Sequence, residues 1–263
     1  MQSFRGIGYL IYGMAVAIIM LLLLVIFGCD SPISTENRLK SGPVGIVDTG
    51  AYLNHAAFKS AEILDTIDCT GKGIADKHGH GTGTLYRLLQ GLKEPRPVIV
   101  CKGLRGGSGY SSEIACCFRA LADRGVSHIT YSGGSKRFNR LTQAGVDYAK
   151  AKGVEVIKSA GNTGNKITYP CKGVKLIGSG GPRGISSFSA YKPPRGCNGV
   201  YAVAAGYRVK VARVGGGYTT NTGTSFAAPY AAGLLASGPV SFTDLPGSRD
   251  GRGIISAANK PCN

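Results

Sequence analysis

The 263-residue sequence predicts an α/β fold, a mostly parallel β-sheet flanked by helices on both faces, preceded by one N-terminal hydrophobic membrane segment. Two observations lead to this prediction. Short apolar, β-branched runs alternate with helix-like segments along the chain, and 41 glycines fit many tight strand-to-helix turns. Strands that are apolar throughout are typical of a parallel sheet that is covered on both sides.

Six apolar runs are predicted to be buried strands, with two helical segments among them. The strands are VGIVD (44–48), PVIVC (97–101), VSHITYS (126–132), VEVIKSAG (154–161), VKLIGSG (174–180) and GVYAVAAG (199–206), and the helices are 111–125 and 140–153. Ligands bind at the carboxyl ends of the strands in open α/β sheets. The strand ends at Asp48, 132–134 and 160–162 should therefore face one crevice.

The N-terminal region predicts attachment to a membrane. Residues 7–27 contain no charge over 21 positions, enough for a helix to span a bilayer. The sequence before Cys29 also resembles a bacterial lipoprotein cleavage box, so that cysteine could be lipidated instead, and both alternatives stay open. We expect an anchor or lipoprotein signal at 1–28, a linker at 29–42, and a domain at 43–263 that lies outside the cytoplasm, in the periplasm or at the cell surface.

The strong positive charge indicates anionic surroundings. The chain has 31 basic and 14 acidic residues; residues 1–28 hold one arginine and no acid, which leaves 30 basic and 14 acidic residues, a net charge of +16. The bases are scattered and form no nucleic-acid-binding module, so nucleic acid is a disfavoured partner. A basic surface beside an anionic membrane is the simpler interpretation. Nothing in the sequence predicts an oligomeric state.

The cysteines predict disulfides more readily than a metal site. There are eight, at positions 29, 69, 101, 116, 117, 171, 197 and 262. No Cys-x-x-Cys pair occurs and Cys116 is adjacent to Cys117, so the spacing of a zinc site is absent. An exported domain could oxidise some of these thiols, but their pairing does not follow from the sequence.

Asp48 opens the phrase Asp-Thr-Gly at a strand end, and three interpretations compete. It could be half of an aspartic-protease dyad, the acid of a serine-protease triad, or a residue that turns the chain. The dyad requires a second Asp-Thr-Gly or a small dimerising subunit. The related phrase at 221–225 has asparagine in place of the acid, and the helical segments contradict an all-β protease.

His80 opens an apparent amphipathic helix with glycine at its entry. A histidine that takes a proton from a nucleophile must point into the crevice and be oriented by a third group. Two other interpretations remain, a polar turn that happens to contain His78 and His80, or a metal-binding pair of these histidines with Asp76 as the only nearby acid.

Ser225 lies at the start of an alanine-rich helix, with Pro229 in its first turn, where a missing N–H is tolerated. Its hydroxyl would lie at the positive end of the helix, and its own unsatisfied N–H could bind an oxyanion. The alternative is an ordinary helix cap.

Taken together, residues 43–238 resemble the subtilisin-like serine protease family. The matching motifs are Asp48-Thr49-Gly50, His80-Gly81-Thr82 and Gly223-Thr224-Ser225-Phe226-Ala227-Ala228-Pro229, in that family's order of Asp, His and Ser. Ala160-Gly161-Asn162 is similar to its oxyanion asparagine motif, and 132–134 and 106–114 are similar to its two substrate edges.

The resemblance implies peptide-bond hydrolysis by acyl transfer, with Ser225 as nucleophile, His80 as base, Asp48 orienting His80, and Asn162 as oxyanion donor. An extended peptide or protein substrate would bind as an added strand. The implied substrate-binding residues are Tyr131, Ser132, Gly133, Gly134, Gly107, Ser108, Gly109, Tyr110, Ala160 and Gly161. No cofactor or active-site metal is expected, and structural calcium has no clear ligands in the sequence.

Two departures from the family pattern stand out. The segment after the histidine motif is Gly83-Thr84-Leu85-Tyr86 where the family usually has His-Val-Ala-Gly, so this helix should pack differently. Lys158 takes the place of a small apolar residue. Its side chain could reach the surface or bias a substrate subsite against basic side chains, and we expect the first. The sequence predicts a membrane-tethered processing or maturation endopeptidase. The alternative is an inactive relative that binds peptides or scaffolds an envelope complex.

Overall fold

The computed structural model describes residues 41–133, 139–167, 172–191, 200–245 and 253–258, all within one unit of the chain. The predicted span at 7–27, the lipidation candidate Cys29 and the substrate-edge residue Gly134 lie outside these residues. Within the described ranges, every helix is too short or too polar to cross a lipid bilayer.

A large, mostly parallel sheet organises the domain. Its strands are β1 (Val44–Asp48), β2 (Ile63–Asp68), β3 (Val98–Lys102), β4 (His128–Tyr131), β5 (Glu155–Ser159), β6 (Lys175–Gly181), β7 (Gly184–Ile185), β8 (Val200–Ala204), β11 (Val240–Thr243) and β12 (Ile254–Ala257). The spatial order is β11-β12-β8-β6-β5-β4-β1-β3-β2, with β7 paired to β6. Of these pairs, only β11–β12 and β6–β7 are antiparallel. A separate antiparallel hairpin joins β9 (Val209–Ala212) to β10 (Tyr218–Asn221).

Helices cover both faces of this sheet, as the sequence predicts. The described α-helices are α1 (His80–Gly91), α2 (Ser111–Asp123), α3 (Arg140–Ala151) and α4 (Thr224–Ala236). Neighbouring strand residues alternate between two cores: Val47 packs in the core that includes α2 and α3, and Ile46 in the core that includes α1 and α4. Successive side chains of a strand point to opposite faces, so α1 and α4 lie on one face and α2 and α3 on the other.

The position of β1 in the sheet brings the predicted functional segments together. It lies between β3 and β4, and β5 follows β4. All four strands run parallel, so their carboxyl ends emerge at the same edge. Asp48 ends β1, 132–133 follow β4 and 160–162 follow β5, which confirms the common edge that the strand pattern predicts.

Close helix packing joins the two segments that carry His80 and Ser225. A Cβ on Gly91 would overlap the Tyr230 carbonyl oxygen, so α1 and α4 approach within backbone contact at this point. Arg87 of α1 is buried and donates hydrogen bonds to the carbonyl oxygens of Phe226, at 3.2 Å, and Ala205, at 3.0 Å. This arginine directly follows the stretch of α1, 83–86, that departs from the family pattern.

Among the residues that the structure describes, two disulfides lie on the face of the sheet that α2 and α3 cover. The adjacent residues Cys116 and Cys117 of α2 bond to Cys69, just after β2, and to Cys101 in β3, respectively. These bonds tie one helix to two neighbouring strands. Two adjacent cysteines can take separate partners here because α2 lies against both the end of β2 and β3.

Candidate active site

His80 and Asp48 form the central polar pair of the site. His80 Nδ1 lies 2.7 Å from Asp48 Oδ1. The aspartate side chain is 1% exposed and that of the histidine 23% exposed, so the pair is screened little by solvent. Asp48 ends β1 and His80 begins α1, so the pair joins a strand end to a helix start.

The remaining hydrogen bonds of Asp48 hold its carboxylate in one orientation. The Thr49 N–H donates to Oδ1 at 2.8 Å, and the Thr84 hydroxyl donates to Oδ2 at 3.1 Å. Thr84 lies one turn into α1 from His80. It belongs to the segment that departs from the family pattern, so this departure provides a hydrogen-bond donor to the buried Asp48 carboxylate.

A second buried acid, Asp76, shapes the turn that delivers His80. Its carboxylate accepts hydrogen bonds from the backbone N–H groups of His78, Gly79 and Thr82. It also accepts one from the Thr49 hydroxyl at 2.9 Å, which connects the turn to the end of β1. Asp76 thus joins the turn before His80, the start of α1 and the end of β1 through one carboxylate.

Close backbone contact fixes the start of α1 against the end of β1. A Cβ on Gly81 would overlap the carbonyl oxygen of Gly50, and Gly50 itself has a φ of +96°. Only glycine adopts such a backbone conformation without strain. The glycines of the Asp-Thr-Gly and His-Gly-Thr motifs therefore permit the approach that brings Asp48 and His80 into contact.

The pKa of His80 is raised above its ordinary value by its surroundings. Burial removes solvent from the imidazole and lowers its pKa, but the charge of Asp48 and the hydrogen bond to it act in the opposite sense and outweigh the burial. Asp76 adds a smaller effect in the same direction as Asp48. The protonated imidazole is thus stabilised at this position.

Ser225 faces the same cavity as His80. The cavity has a volume of about 360 Å³ and is lined by His78, His80, Asn162, Arg213, Ser225 and Phe226, among others. In this conformation the Ser225 hydroxyl donates to the Ser132 carbonyl oxygen at 3.3 Å. The Phe226 ring lies 5.5 Å from the imidazole ring, centroid to centroid, and packs beside His80.

The side chain of Asn162 is held by its carbonyl oxygen. Oδ1 accepts from the backbone N–H of Thr224 at 2.8 Å and from its hydroxyl at 2.9 Å. The opposite end of the amide, Nδ2, then faces Gly223: a Cβ there would lie 3.2 Å from Asn162 Nδ2 and 3.7 Å from the backbone nitrogen of Ser225. Asn162 Nδ2 and the Ser225 backbone nitrogen thus both lie close to Gly223, at the positive end of α4.

One predicted substrate edge consists of the residues at the end of β4. Tyr131 is 1% exposed and its hydroxyl occupies the space that a Cβ on Gly133 would fill. Ser132 Oγ donates to the Ser225 carbonyl oxygen at 2.8 Å and ties this edge to α4. Tyr131 therefore supports the edge from below, and Ala160 and Gly161 lie at the end of the neighbouring β5.

The second predicted edge is the loop between β3 and α2. It contains Gly107, Ser108, Gly109 and Tyr110, and the Tyr110 side chain is 66% exposed. Asp48 holds the start of the loop, because its carbonyl oxygen accepts the N–H groups of residues 103 and 104. Glu113 of α2 holds its end, because the Glu113 carboxylate accepts the Tyr110 N–H at 3.0 Å and binds Arg105.

The expectation that Lys158 reaches the surface is wrong. Its side chain is 1% exposed, because it points from β5 into the core beside Tyr131 of the neighbouring strand. Its Nζ donates to the Ser159 carbonyl oxygen at 3.1 Å and lies 5.8 Å from the Tyr131 ring centroid. Burial lowers the pKa of Lys158 to about 7.

His78 lies at the rim of the cavity and is not bound to Asp48. Its ring lies 6.2 Å from the His80 ring, and its described backbone contact is the N–H bond to Asp76. The carboxylate oxygens of Asp48 are taken by His80, Thr49 and Thr84. Between the two histidines, the structure therefore brings His80 to the acid.

Comparison with known proteins agrees with this fold. The sequence profile of the subtilase family matches residues 41–238. The chain is 28% identical over 236 residues to a subtilisin of Bacillus sp. (strain TA39), covering 73% of the chain and 55% of the relative. It is 30% identical over 208 residues to subtilisin-like protease 4 of Trichophyton rubrum, covering 72% and 50%. The chain belongs to the subtilase family, and it spans about half the length of the curated relatives it matches.

Solved structures show the same fold. A cold-adapted subtilisin-like serine proteinase aligns with a TM-score of 0.65 at 20% identity, over 84% of this chain and 90% of that one. The S41 psychrophilic protease aligns with a TM-score of 0.58 at 26% identity, over 75% and 77%. A lanthipeptide protease aligns with a TM-score of 0.65 at 22% identity, over 75% and 73%.

Sequence reasoning missed the groups that orient the named residues. Thr84 and Asp76 hold Asp48 and the His80 turn, and Thr224 orients Asn162. A signal existed for Asp76, an acid four residues before His80 in a glycine-rich turn. No signal existed for Thr84, because its contact with Asp48 depends on how α1 packs against β1.

Proposed function

We propose that this protein is a serine endopeptidase in which Ser225 is the nucleophile, His80 the general base and Asp48 the acid that orients His80. The observation that carries the proposal is the buried 2.7 Å contact between His80 Nδ1 and Asp48 Oδ1, on a histidine that shares one cavity with Ser225. A bond through Nδ1 leaves Nε2 to take a proton from the nucleophile.

The reaction would begin with attack of Ser225 Oγ on the scissile carbonyl carbon. His80 takes the hydroxyl proton and later gives it to the leaving amine, while Asp48 stabilises the imidazolium. The oxyanion would form beside Gly223, which has Asn162 Nδ2 and the Ser225 backbone nitrogen near it, and these two groups would donate to it. Such preorganised donors stabilise the tetrahedral intermediate and cost no reorganisation during the reaction. Water then hydrolyses the acyl-enzyme by the same steps.

The proposed substrate is an extended peptide that lies as a strand between two edges, 131–134 and 106–110. Main-chain hydrogen bonds would supply the affinity, as in other cases of strand addition. Gly133 and Gly109 support this arrangement, because a Cβ at either position would collide with Tyr131 or with the Gly103 carbonyl oxygen and displace the edge. The high positive charge favours acidic substrate proteins or surfaces.

We further propose that the domain is tethered to a membrane and faces away from the cytoplasm, either through 7–27 or through a lipid on Cys29. The 21-position uncharged segment supports the tether, and two disulfides support an oxidising compartment. A protease held at a membrane meets few substrates, and so a processing or maturation role fits it better than general degradation. Indiscriminate digestion of unfolded proteins by the purified protein would contradict this role.

One observation favours a second candidate, an inactive protein that binds peptides or scaffolds a complex. The Ser225 hydroxyl donates to Ser132 and not to the imidazole. Catalytic hydrogen bonds are often long or misdirected before substrate binds, so a rotation of one side chain restores the attacking geometry.

A fluorophosphonate probe separates the two candidates, because it reacts only with an activated serine. The protease predicts labelling of the wild type and loss of labelling in Ser225→Ala. Ser237→Ala, which changes a serine near the opposite end of α4, is the matched control and should label as the wild type does. A folded wild-type protein that fails to react would refute the proposed protease.

A further inference from the structure

The two disulfides surround the segment that forms one proposed substrate edge. Cys101 is the fourth residue of β3 and Cys117 lies in α2, so their bond closes a loop that contains all of 106–110. Both cysteines are 0% exposed. A loop closed by a buried covalent bond retains its shape, and a preorganised edge binds a peptide with a smaller loss of conformational entropy.

Packing around the Cys101–Cys117 bond reaches the edge directly. A Cβ on Gly103 would lie 3.1 Å from Cys117 Sγ, and one on Gly109 would overlap the Gly103 carbonyl oxygen. The sulfur of Cys117 therefore lies beneath the first turn of the loop, and that turn lies against Gly109 of the edge. Loss of the Cys101–Cys117 bond would free both the first turn of the loop and Gly109 of the edge to move.

The second disulfide differs in its exposure. Cys116 is exposed and Cys69 is half-buried, so a reductant can reach their bond from solvent. The Cys69 sulfur lies 3.9 Å from that of Cys101. A thiolate freed at Cys69 would thus be next to a sulfur of the buried bond.

We propose that the Cys101–Cys117 disulfide holds the 106–110 edge in its peptide-binding shape and that the Cys69–Cys116 disulfide transmits reduction from solvent to it. This inference rests on the proposed function, because the edge is assigned as a substrate site there. It makes peptide binding sensitive to thiols while the Asp48–His80 pair and Ser225 remain in place.

The transfer proceeds by thiol–disulfide exchange. A dithiol reductant breaks the Cys69–Cys116 bond, is itself oxidised to a disulfide, and leaves thiols at both cysteines. The Cys69 thiolate attacks Cys101 Sγ; a Cys69–Cys101 bond forms, the Cys101–Cys117 bond breaks, and the electron pair leaves on Cys117, which takes a proton. One reductant molecule is oxidised, and two disulfides become one disulfide and two thiols, so atoms and electrons balance.

The test compares two substrates of the full-length protein that share the residue before the scissile bond. One is an acylated tetrapeptide anilide, which reaches the 106–110 edge, and the other is an acylated single-residue ester, which does not. In Cys101→Ser/Cys117→Ser the ratio of their kcat/KM values should fall about ten-fold, the effect of ordering roughly one more residue on binding. Fluorophosphonate labelling should be unchanged.

The matched variant is Cys69→Ser/Cys116→Ser. Dithiothreitol should lower the substrate ratio of the wild type to that of Cys101→Ser/Cys117→Ser, but leave this matched variant unaffected. An unchanged ratio in Cys101→Ser/Cys117→Ser overturns the role of the buried bond, and equal thiol sensitivity of wild type and matched variant overturns the transfer. If Cys101→Ser/Cys117→Ser does not fold, the fall of the substrate ratio of the wild type with time in dithiothreitol tests the role of the buried bond.

Alkylation of free thiols followed by mass spectrometry measures the transfer independently of peptidase activity. During brief reduction, the expected intermediate carries thiols at Cys116 and Cys117 and a new Cys69–Cys101 bond. Direct appearance of a Cys101 thiol together with Cys117 would contradict the transfer. A wild type that neither labels nor cleaves refutes the proposed function, and the thiol map still decides the exchange.

Discussion

Thr224 binds Asn162 twice through a single oxygen, with its N–H at 2.8 Å and its hydroxyl at 2.9 Å from Asn162 Oδ1. These contacts leave Nδ2 as the end of the amide that faces the cavity beside Ser225. Asn162→Ala should lower kcat about 10²- to 10³-fold with little change in KM, because the lost donor acts on the oxyanion of the transition state. Steady-state kinetics measure this, with Asn165→Ala in the same loop as control.

Asp48→Asn should reduce kcat by about 10⁴-fold while fluorescence and circular dichroism report an intact fold. The amide cannot stabilise the imidazolium and favours the wrong tautomer of His80. Asp65, an exposed acid of β2 that is paired with Arg124, provides the control variant Asp65→Asn, which should retain activity. Comparable activity of Asp48→Asn and wild type would exclude Asp48 as the orienting acid.

The acid limb of the kcat/KM profile should lie above pH 6.5, the ordinary imidazole value, because Asp48 raises the pKa of His80. The raised folded-state pKa of His80 also adds to the free energy of unfolding below pH 6.5, and this contribution is lost as the pH rises through the folded-state pKa. In Asp48→Asn the residual activity should titrate at a lower pH. A wild-type limb below 6.5 would contradict the ion pair.

Lys158→Met should raise the melting temperature, and more at pH 6 than at pH 9. The unfolded chain binds a proton at Lys158 up to its ordinary pKa of 10.5, whereas the folded chain releases it near pH 7. The wild type therefore gains stability as the pH rises through this window, and methionine removes that dependence. We expect a gain of at least about 3 °C at pH 6, measured by calorimetry, and no gain for the exposed-site control Lys72→Met.

Arg87→Met should lower the free energy of unfolding by about 2 kcal/mol, since two carbonyl oxygens, of which that of Phe226 is buried, lose their charged donor. One of these belongs to Phe226, next to Ser225. Urea denaturation measures the effect, and Arg140→Met at an exposed helix start is the control. A loss equal to that of the control would show that Arg87 does not brace α4.

Much of this architecture follows from local patterns. The six predicted strands are all found, β1 with identical bounds, and both predicted helices occur within two residues of their predicted ends. Buried parallel strands are apolar along their whole length, which makes them visible in one sequence. The strands that were missed, β2, the two-residue β7, the β9–β10 hairpin, β11 and β12, have mixed or polar exposure and carry no such signal.

The sequence by itself determined the family, the order of the Asp, His and Ser motifs, and the sheet edge at which Asp48 and Asn162 both lie. Those properties depend on residue type and on spacing along the chain. Only the tertiary structure decided that Thr84 binds Asp48, that Lys158 is buried, and that Cys116 and Cys117 take separate partners. Each of these depends on which side chains two distant segments present to one another when they pack, and the linear order of residues does not specify that.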